Sequence, residues 1–403
     1  MVRGRGILCP MQTSGSRALV IARIFLMAWV LIAGAIFTGL IGPVRSSIQE
    51  TFGIDEAQFS LWLAAVQFVS SGVVLAAAPR LGRLNPMKLM VAGLAVSTLG
   101  LFVCYRVPTL AGWLGGWSAV SFGRSLGAIA NNIAMDLWPD RPRRGVVLLH
   151  AWNSGGKVLG PIVVALTLGW FAIQWRGSFL ALAVLSAALL GFFSLTGGPT
   201  IRHMALPKEE VPAPSHRAFR NPLFWHCATP FALIAGSEAA FSSLAPLYFE
   251  RMHGMTREVA SLLLTVHVLG LMCGRFAVGL FGERLSNRTI IGICVGAGVA
   301  LFPCMFIADP YLVSIPLFVY GLTFSATWPT FYAQAARFIP EDRDMLAYTS
   351  QLANLVGISA CIALSGYIAR QSLPWSLVFS VAVMWIFALW FYLGPVSREP
   401  ASG

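Results

Sequence analysis

The chain predicts an all-α polytopic membrane protein of twelve transmembrane helices, arranged as two pseudo-symmetric six-helix bundles. Three observations carry that reading. Of the 403 residues, 57% are hydrophobic and 11% charged, less than half the roughly 25% charged share of a soluble domain. The apolar residues lie in continuous runs about 20 residues long, the length at which a helix crosses a bilayer. An outer-membrane barrel would show short alternating segments instead. The two halves of the chain also repeat one another. Cytosolic enzymes, disordered proteins and secreted disulfide scaffolds are excluded.

Taken in order, the apolar runs place six spans near 18–42, 59–78, 87–105, 110–137, 145–169 and 177–196. Six more lie near 223–249, 258–281, 288–307, 311–337, 345–369 and 375–394. The first run is too long for a signal-peptide core and no small-residue cleavage site follows it, so it reads as an uncleaved span. Residues 1–17 read as a cytoplasmic tail, 18–198 as the N-terminal bundle, 221–396 as the C-terminal bundle and 397–403 as a second cytoplasmic tail. Between the bundles, 199–220 is a cytoplasmic linker, marked by Pro207, Lys208, Glu209, Glu210, Pro212 and Pro214. Several runs exceed the bilayer thickness, which predicts tilt or protrusion.

The net charge of +12 raises a nucleic-acid reading. Distribution decides against it, because no segment clusters five or six cations and the basic residues fill short gaps between apolar runs. Counted by loop, 18 of the 28 Lys and Arg fall on the side of the N-terminus, including Arg80, Arg83, Arg141, Arg143 and Arg144. Six fall on the other side, which predicts cytoplasmic termini in the inner membrane. The 7 cysteines are scattered, odd in number and mostly inside apolar runs, so they read as small core residues without metal or disulfide spacing.

The repeat is visible residue by residue. At an offset of 201, Pro139-Asp140 matches Pro340-Glu341, Asn153 matches Asn354 and Gly156 matches Gly357. At an offset of 200, Trp175 and Phe179 match Trp375 and Phe379. Two parallel six-span repeats joined by a linker resemble the major facilitator superfamily over nearly the whole chain. The family's loop between spans 2 and 3 appears as Leu75 to Pro79, then Arg80-Leu81-Gly82-Arg83, with Leu75 and Pro79 in place of its Gly and Asp. The second copy, Gly274-Arg275 through Gly279 and Glu283-Arg284, is nearer the pattern. Within the family, three stretches resemble the fucose–proton symporter-like branch. They are Asn131 to Asp140 through Gly160-Pro161, Gly236-Ser237-Glu238 with Tyr248, and Gly321 to Ser325 with Trp328-Pro329-Thr330. The resemblance implies alternating access around a midplane site. It also implies gating contacts at Arg80, Arg83, Arg275, Glu283 and Arg284. Sugar symporters of the branch carry N-terminal carboxylates, whereas spans 1–5 here hold only Asp136, at a span end.

Ionisable groups at membrane depth cost about 2.5–3.5 kcal/mol each on insertion scales, so they are functional candidates by default. Arg124 lies halfway along span 4, Lys157 about twelve residues into span 5, and Glu238 mid-span in span 7. Arg23 and Arg275 read as nearer span ends, where long side chains snorkel. Helical spacing adds Asn131 two turns from Arg124, and Asn153 and His150 on the face of Lys157. Gln67, Ser242, Tyr320, Thr327, Gln351 and Asn354 supply neutral hydrogen-bonding groups, and His267 lies in the outer half of span 8.

Two cations against one carboxylate favour a small organic or inorganic anion, with Glu238 as the proton-coupling group. The bland alternative is a structural Arg124–Glu238 pair with Lys157 capped by carbonyls. Gly156-x-x-x-Gly160-Pro161 reads as close helix packing and a kink. Trp152 to Gly156 resembles the glycine-rich stretch of nitrate porters, but span 2 lacks their arginine.

No nucleotide loop or His-Glu-x-x-His motif is present, so a membrane enzyme is disfavoured and no cofactor, metal or nucleic acid is expected. A secondary transporter working as a monomer in the lipid bilayer, with a small-molecule substrate and protons as partners, is the reading. A neutral sugar–proton symporter, drug or metabolite efflux, and a transporter-like sensor remain the alternatives.

Overall fold

The computed structural model describes residues 15–54, 56–167, 174–196, 214–296 and 298–397. Most of both predicted tails, linker residues 199–213 and the end of the fifth predicted span lie outside the described residues. The described residues are helices and short connections, without a strand, and their rods coincide with the twelve apolar runs. Span 1 is α1 (Gly15–Gly34), continued through a π-helical segment (Ala35–Leu40) into α2 (Ile41–Phe52). Spans 2 and 3 are α3 (Glu56–Leu81) and α4 (Pro86–Arg106). Span 4 is α5 (Leu110–Leu126), a 3-10 turn (Gly127–Ile129) and α6 (Ala130–Leu137). Spans 5 and 6 are α7 (Pro142–Ala165) and α8 (Arg176–Thr196).

In the second half, span 7 is α9 (Pro222–Ala228) with α10 (Pro230–His253), and span 8 is α11 (Arg257–Phe281). Span 9 is α12 (Asn287–Gly296) with α13 (Gly298–Leu301), and span 10 is α14 (Pro310–Phe324) with α15 (Thr327–Phe338). Spans 11 and 12 are α16 (Arg343–Gln371) and α17 (Leu373–Leu393). Among the described residues, 8 helical stretches are long and apolar enough to cross a membrane. Spans 1, 4, 5 and 7 are the exceptions. Interruptions shorten spans 1 and 4, while spans 5 and 7 carry charged and polar side chains, Lys157 and Glu238 among them.

Local chemistry sets the ends. Asn85 and Asp309 each cap a helix that opens on proline, and Asp309 Oδ1 accepts from the Tyr311 and Leu312 amides at 2.9 Å. Gly53 and Gly254 close spans 1 and 7 with φ of 64°, a conformation that glycine adopts without a Cβ penalty. They stand 201 residues apart, the offset of the sequence repeat.

Prolines inside the rods leave a carbonyl four residues back without its helical donor, and in three cases another element supplies one. Pro230 frees the His226 carbonyl, which accepts from Trp390 Nε1 at 3.3 Å. Pro329 frees that of Ser325, which accepts from Arg275 Nε at 2.9 Å. Pro79 frees that of Leu75, 3.4 Å from His216 Nε2. The last case revises the sequence reading: Leu75 to Leu81 is the end of the α3 helix rather than a loop.

Glycines let the spans touch. A side chain at Gly156 would collide with the Leu31 carbonyl, and one at Gly357 with that of Ala232. This binds span 5 to span 1 and span 11 to span 7. The bundles meet where span 5 packs on span 8 and span 2 on span 11. The half-helices α6 and α15 also reach across to the opposite bundle, whereas α5 and α14 pack chiefly within their own.

Candidate functional site

The site grows from spans 5 and 7. Gly156 and Gly160 lay one face of α7 on span 1, which turns Lys157 toward the other bundle. On α10, Gly236 abuts Cys361 and the Gly357 carbonyl of α16, and Ser237 donates to the Ser380 carbonyl of α17 at 2.7 Å. Those contacts fix the rotation of span 7, and the next residue, Glu238, faces the bundle interface. Lys157 Nζ and Glu238 Oε1 meet there at 2.9 Å, with 17% and 22% of their side chains accessible. The deep carboxylate therefore pairs with Lys157, not with Arg124, and Lys157 is not capped by carbonyls alone.

Further contacts between the bundles run from this pair toward the face where span 1 begins and span 12 ends, here called the terminal face. Arg275 of α11 is 4% exposed. Besides the Ser325 carbonyl it donates to Ser154 Oγ, and at 3.3 Å to the His150 carbonyl, both on α7. It is thus a buried cross-bundle tether, unlike the snorkelling side chain expected from its place in the apolar run. The His150 ring packs against Trp328 at 4.4 Å and hydrogen-bonds Asn131 Oδ1 at 3.1 Å. Asn132 donates to Asp344 Oδ1 at 2.6 Å and accepts from the Tyr332 hydroxyl at 2.7 Å. At the terminal face itself Arg343 binds both oxygens of Asp136 at 2.9 and 3.0 Å. Arg143 donates to the Gly282 and Leu285 carbonyls and lies 4.0 Å from Glu283. At the opposite face, by contrast, Trp175–Thr51 and Tyr248–Met305 are contacts inside one bundle.

The remaining predicted residues divide into two groups. Arg124, Asn153, Gln67 and Asn354 are half-buried. Arg124 borders a niche of about 10 Å³ walled by Trp29, Ile32, Ala33, Ile36, Leu94 and Ser97, room for about one water. Asn153 donates to the Val30 carbonyl, and Asn354 accepts from Trp328 Nε1 at 3.1 Å. Asn131, Tyr320 and Thr327 are buried and engaged elsewhere: Asn131 with His150, Tyr320 stacked on His267, Thr327 on the Phe324 carbonyl. Arg80, Arg83 and Arg284 are exposed near the terminal face. Arg23 caps α6 through the Leu137 carbonyl at 2.6 Å and lies over Trp138.

Sequence reasoning missed the Asp136–Arg343 and Asn132–Asp344 contacts and the depth of Arg275. The available signal was Pro329, which predicts a free Ser325 carbonyl awaiting a donor. Among the described residues, no group of three or more His, Cys, Asp or Glu could hold a metal ion.

Two helical bundles that meet at a cross-bundle ion pair, with further polar contacts on one side of it, have the arrangement of a membrane carrier. The chain belongs to the Major Facilitator Superfamily, whose family model matches residues 24–348 and 253–403. It is 23% identical over 286 residues to the "Probable nitrate/nitrite transporter" of Mycobacterium tuberculosis H37Rv, covering 70% of this chain and 71% of that one. An MFS-type transporter of Bacillus subtilis is 23% identical over 393 residues, 92% of this chain and 95% of its own. Among solved structures, the Escherichia coli fucose:proton symporter superposes with a TM-score of 0.75 at 15% identity, over 94% of this chain and 99% of that one. The chain is a multi-pass secondary transporter of small molecules.

Proposed function

We propose that this transporter carries a small organic or inorganic anion across the cytoplasmic membrane by alternating access, coupled to protons through Glu238. The observation that carries the reading is the charge balance at depth. Arg124, Lys157 and Arg275 stand against one carboxylate, Glu238. A cation excess inside a bilayer is costly unless a mobile anion compensates it. Similarity to a nitrate/nitrite transporter supports the same class.

Arg124 and Lys157 are the proposed anion contacts, with Asn153, Gln67 and Asn354 as neutral hydrogen-bonding partners. Asn131, Tyr320 and Thr327 shape the wall from behind. Arg80, Arg83, Arg275, Glu283 and Arg284 belong to the proposed gate. The bias of basic residues supports cytoplasmic termini, and on that orientation the polar contacts from Arg275 to Arg343 lie on the cytoplasmic side of the site. One chain holds both halves of the site, which makes a monomer sufficient.

A thermal-shift screen of purified protein against carboxylates, inorganic anions, sugars and amino acids at two pH values tests the class. A bound ligand raises apparent stability by mass action. Stabilisation by an anion, lost in Lys157→Ala and Arg124→Ala, is the expected result. Stabilisation by a neutral sugar alone would transfer the chain to the second reading, neutral sugar–proton symport, for which the half-buried amides Gln67, Asn153 and Asn354 are the matching chemistry.

A further inference from the structure

We propose that residues 214–220 form a strap that holds the terminal face shut. The strap is seated on the end of span 2 while the bundles are together there, and span 7 carries it off when they part. This rests on alternating access alone and is indifferent to which solute is carried.

The seat is built by two positions at the end of span 2. Pro79 has no amide hydrogen, so the Leu75 carbonyl is left without its helical donor. His216 Nε2 lies 3.4 Å from that oxygen. Three residues on, Gly82 leaves bare backbone, where a side chain would collide with the Pro214 ring. Pro214 is buried there. Pro79 stands where the family pattern has Asp, so this seat belongs to this chain.

The other end of the strap is continuous with the C-terminal bundle. His216–Arg220 is a 3-10 turn, opened by Ser215 Oγ accepting from the Arg217 amide at 3.3 Å. The Phe219 ring stacks on His216 and also meets Phe224 and Trp225 of α9, with centroids 5.6 Å away in both cases. Trp225 Nε1 donates to the Phe219 carbonyl at 2.8 Å. Phe224 is fully buried, and α9 packs on span 11.

Reach decides what such a strap can do. His216 is held by one bundle and Phe219 by the other. Three chain steps extend to about 10 Å, against about 6 Å in a 3-10 turn, so unwinding yields about 4 Å of slack. A wider parting of span 2 from span 7 must unseat one end. The span 2 seat is the end that yields. It consists of one long hydrogen bond and one proline contact between segments far apart in the chain, whereas the Phe219 cluster is local to the strap and α9. Contacts of this size bias the two arrangements without locking either.

Two readouts on the purified full chain, in a Cys9→Ser/Cys273→Ser background, test the strap. One is the maleimide reaction of Leu148→Cys, a position that packs against Gly279 of the other bundle. The other is trypsin cleavage after the exposed Arg217. Gly82→Ala, which pushes a methyl group into Pro214, should raise both rates about fivefold. Pro79→Ala returns a helical donor to the Leu75 carbonyl without burdening the fold, and should raise both about twofold. Leu148→Cys/Gly279→Cys reads the dependence on state: oxidised to a disulfide, it should be cut after Arg217 severalfold more slowly than when reduced. If both rates are unchanged in the variants, the strap is not seated as described. Faster cleavage with unchanged Leu148→Cys reaction would mean that a seated strap holds nothing shut. Equal cleavage of the oxidised and reduced double variant would mean that seating ignores the bundles. Each of these overturns the strap and leaves alternating access standing. A Leu148→Cys that never reacts in any of the proteins would overturn alternating access, and the release of the strap with it.

Discussion

In the N-terminal bundle the deep charges are Arg124 and Lys157, and in the C-terminal bundle they are Glu238 and Arg275. At the repeat offset their counterparts are Ser325, Ile358, Phe37 and Val74. None of the four is duplicated. The frame around them is: Gly53 and Gly254 cap spans 1 and 7 alike, and Gly156 and Gly357 seat equivalent helix pairs. Asn153 and Asn354 occupy the same register. The halves therefore share what positions a side chain and differ in what it does. A site that needs both sets of charges can form only where the halves meet.

The largest expected effects lie on the unduplicated charges. Lys157→Ala or Glu238→Ala strands the partner, and breaking a buried pair in this way costs about 3 kcal/mol, somewhat less here because the pair is partly accessible. Thermal unfolding should show each single variant clearly less stable than Lys157→Met/Glu238→Gln. Equal losses in all three would contradict the pairing.

The duplicated frame should respond symmetrically. Gly156→Val and Gly357→Val each push a side chain into a backbone carbonyl, and overpacking of this kind costs about 1–3 kcal/mol. Gly366→Ala in span 11 meets open space. It should be neutral or stabilise by about 0.5 kcal/mol through the unfolded state. A large loss on one side only would mean that the repeat is not mechanical.

Smaller effects belong to the terminal-face seal. Asp136→Asn removes a charge from the bidentate contact with Arg343, worth about 1 kcal/mol in a partly exposed pair. A cysteine at Leu148, which packs against Gly279 of the other bundle, should then react with a maleimide about fivefold faster from that side. Unchanged labelling would show that the seal does not hold the bundles closed.

Much of this was legible in the sequence because hydrophobic runs and their breaks act locally. Span 3, read as 87–105, is Pro86–Arg106, and the glycines of span 5 do pack where their spacing suggested. Depth alone also singled out Lys157 and Glu238. What depth could not give was the partner, since that depends on how spans 5 and 7 are rotated. The rotation is set by distant contacts: Gly156 on Leu31, Gly236 on Cys361, Ser237 on Ser380. Arg275 was misplaced for a related reason. Its span was read to 281 and its helix ends at Phe281, but the guanidinium turns inward to Ser325, Ser154 and His150, a direction the sequence position does not give.

The most direct test of the account is anion flux into proteoliposomes under an imposed inward proton gradient, followed together with internal pH. Nitrate or lactate should accumulate in the wild type as protons enter, and neither gradient-driven accumulation nor proton entry should persist in Glu238→Gln. Gradient-driven uptake of a neutral sugar with no anion flux, or anion accumulation that ignores the proton gradient, would contradict it.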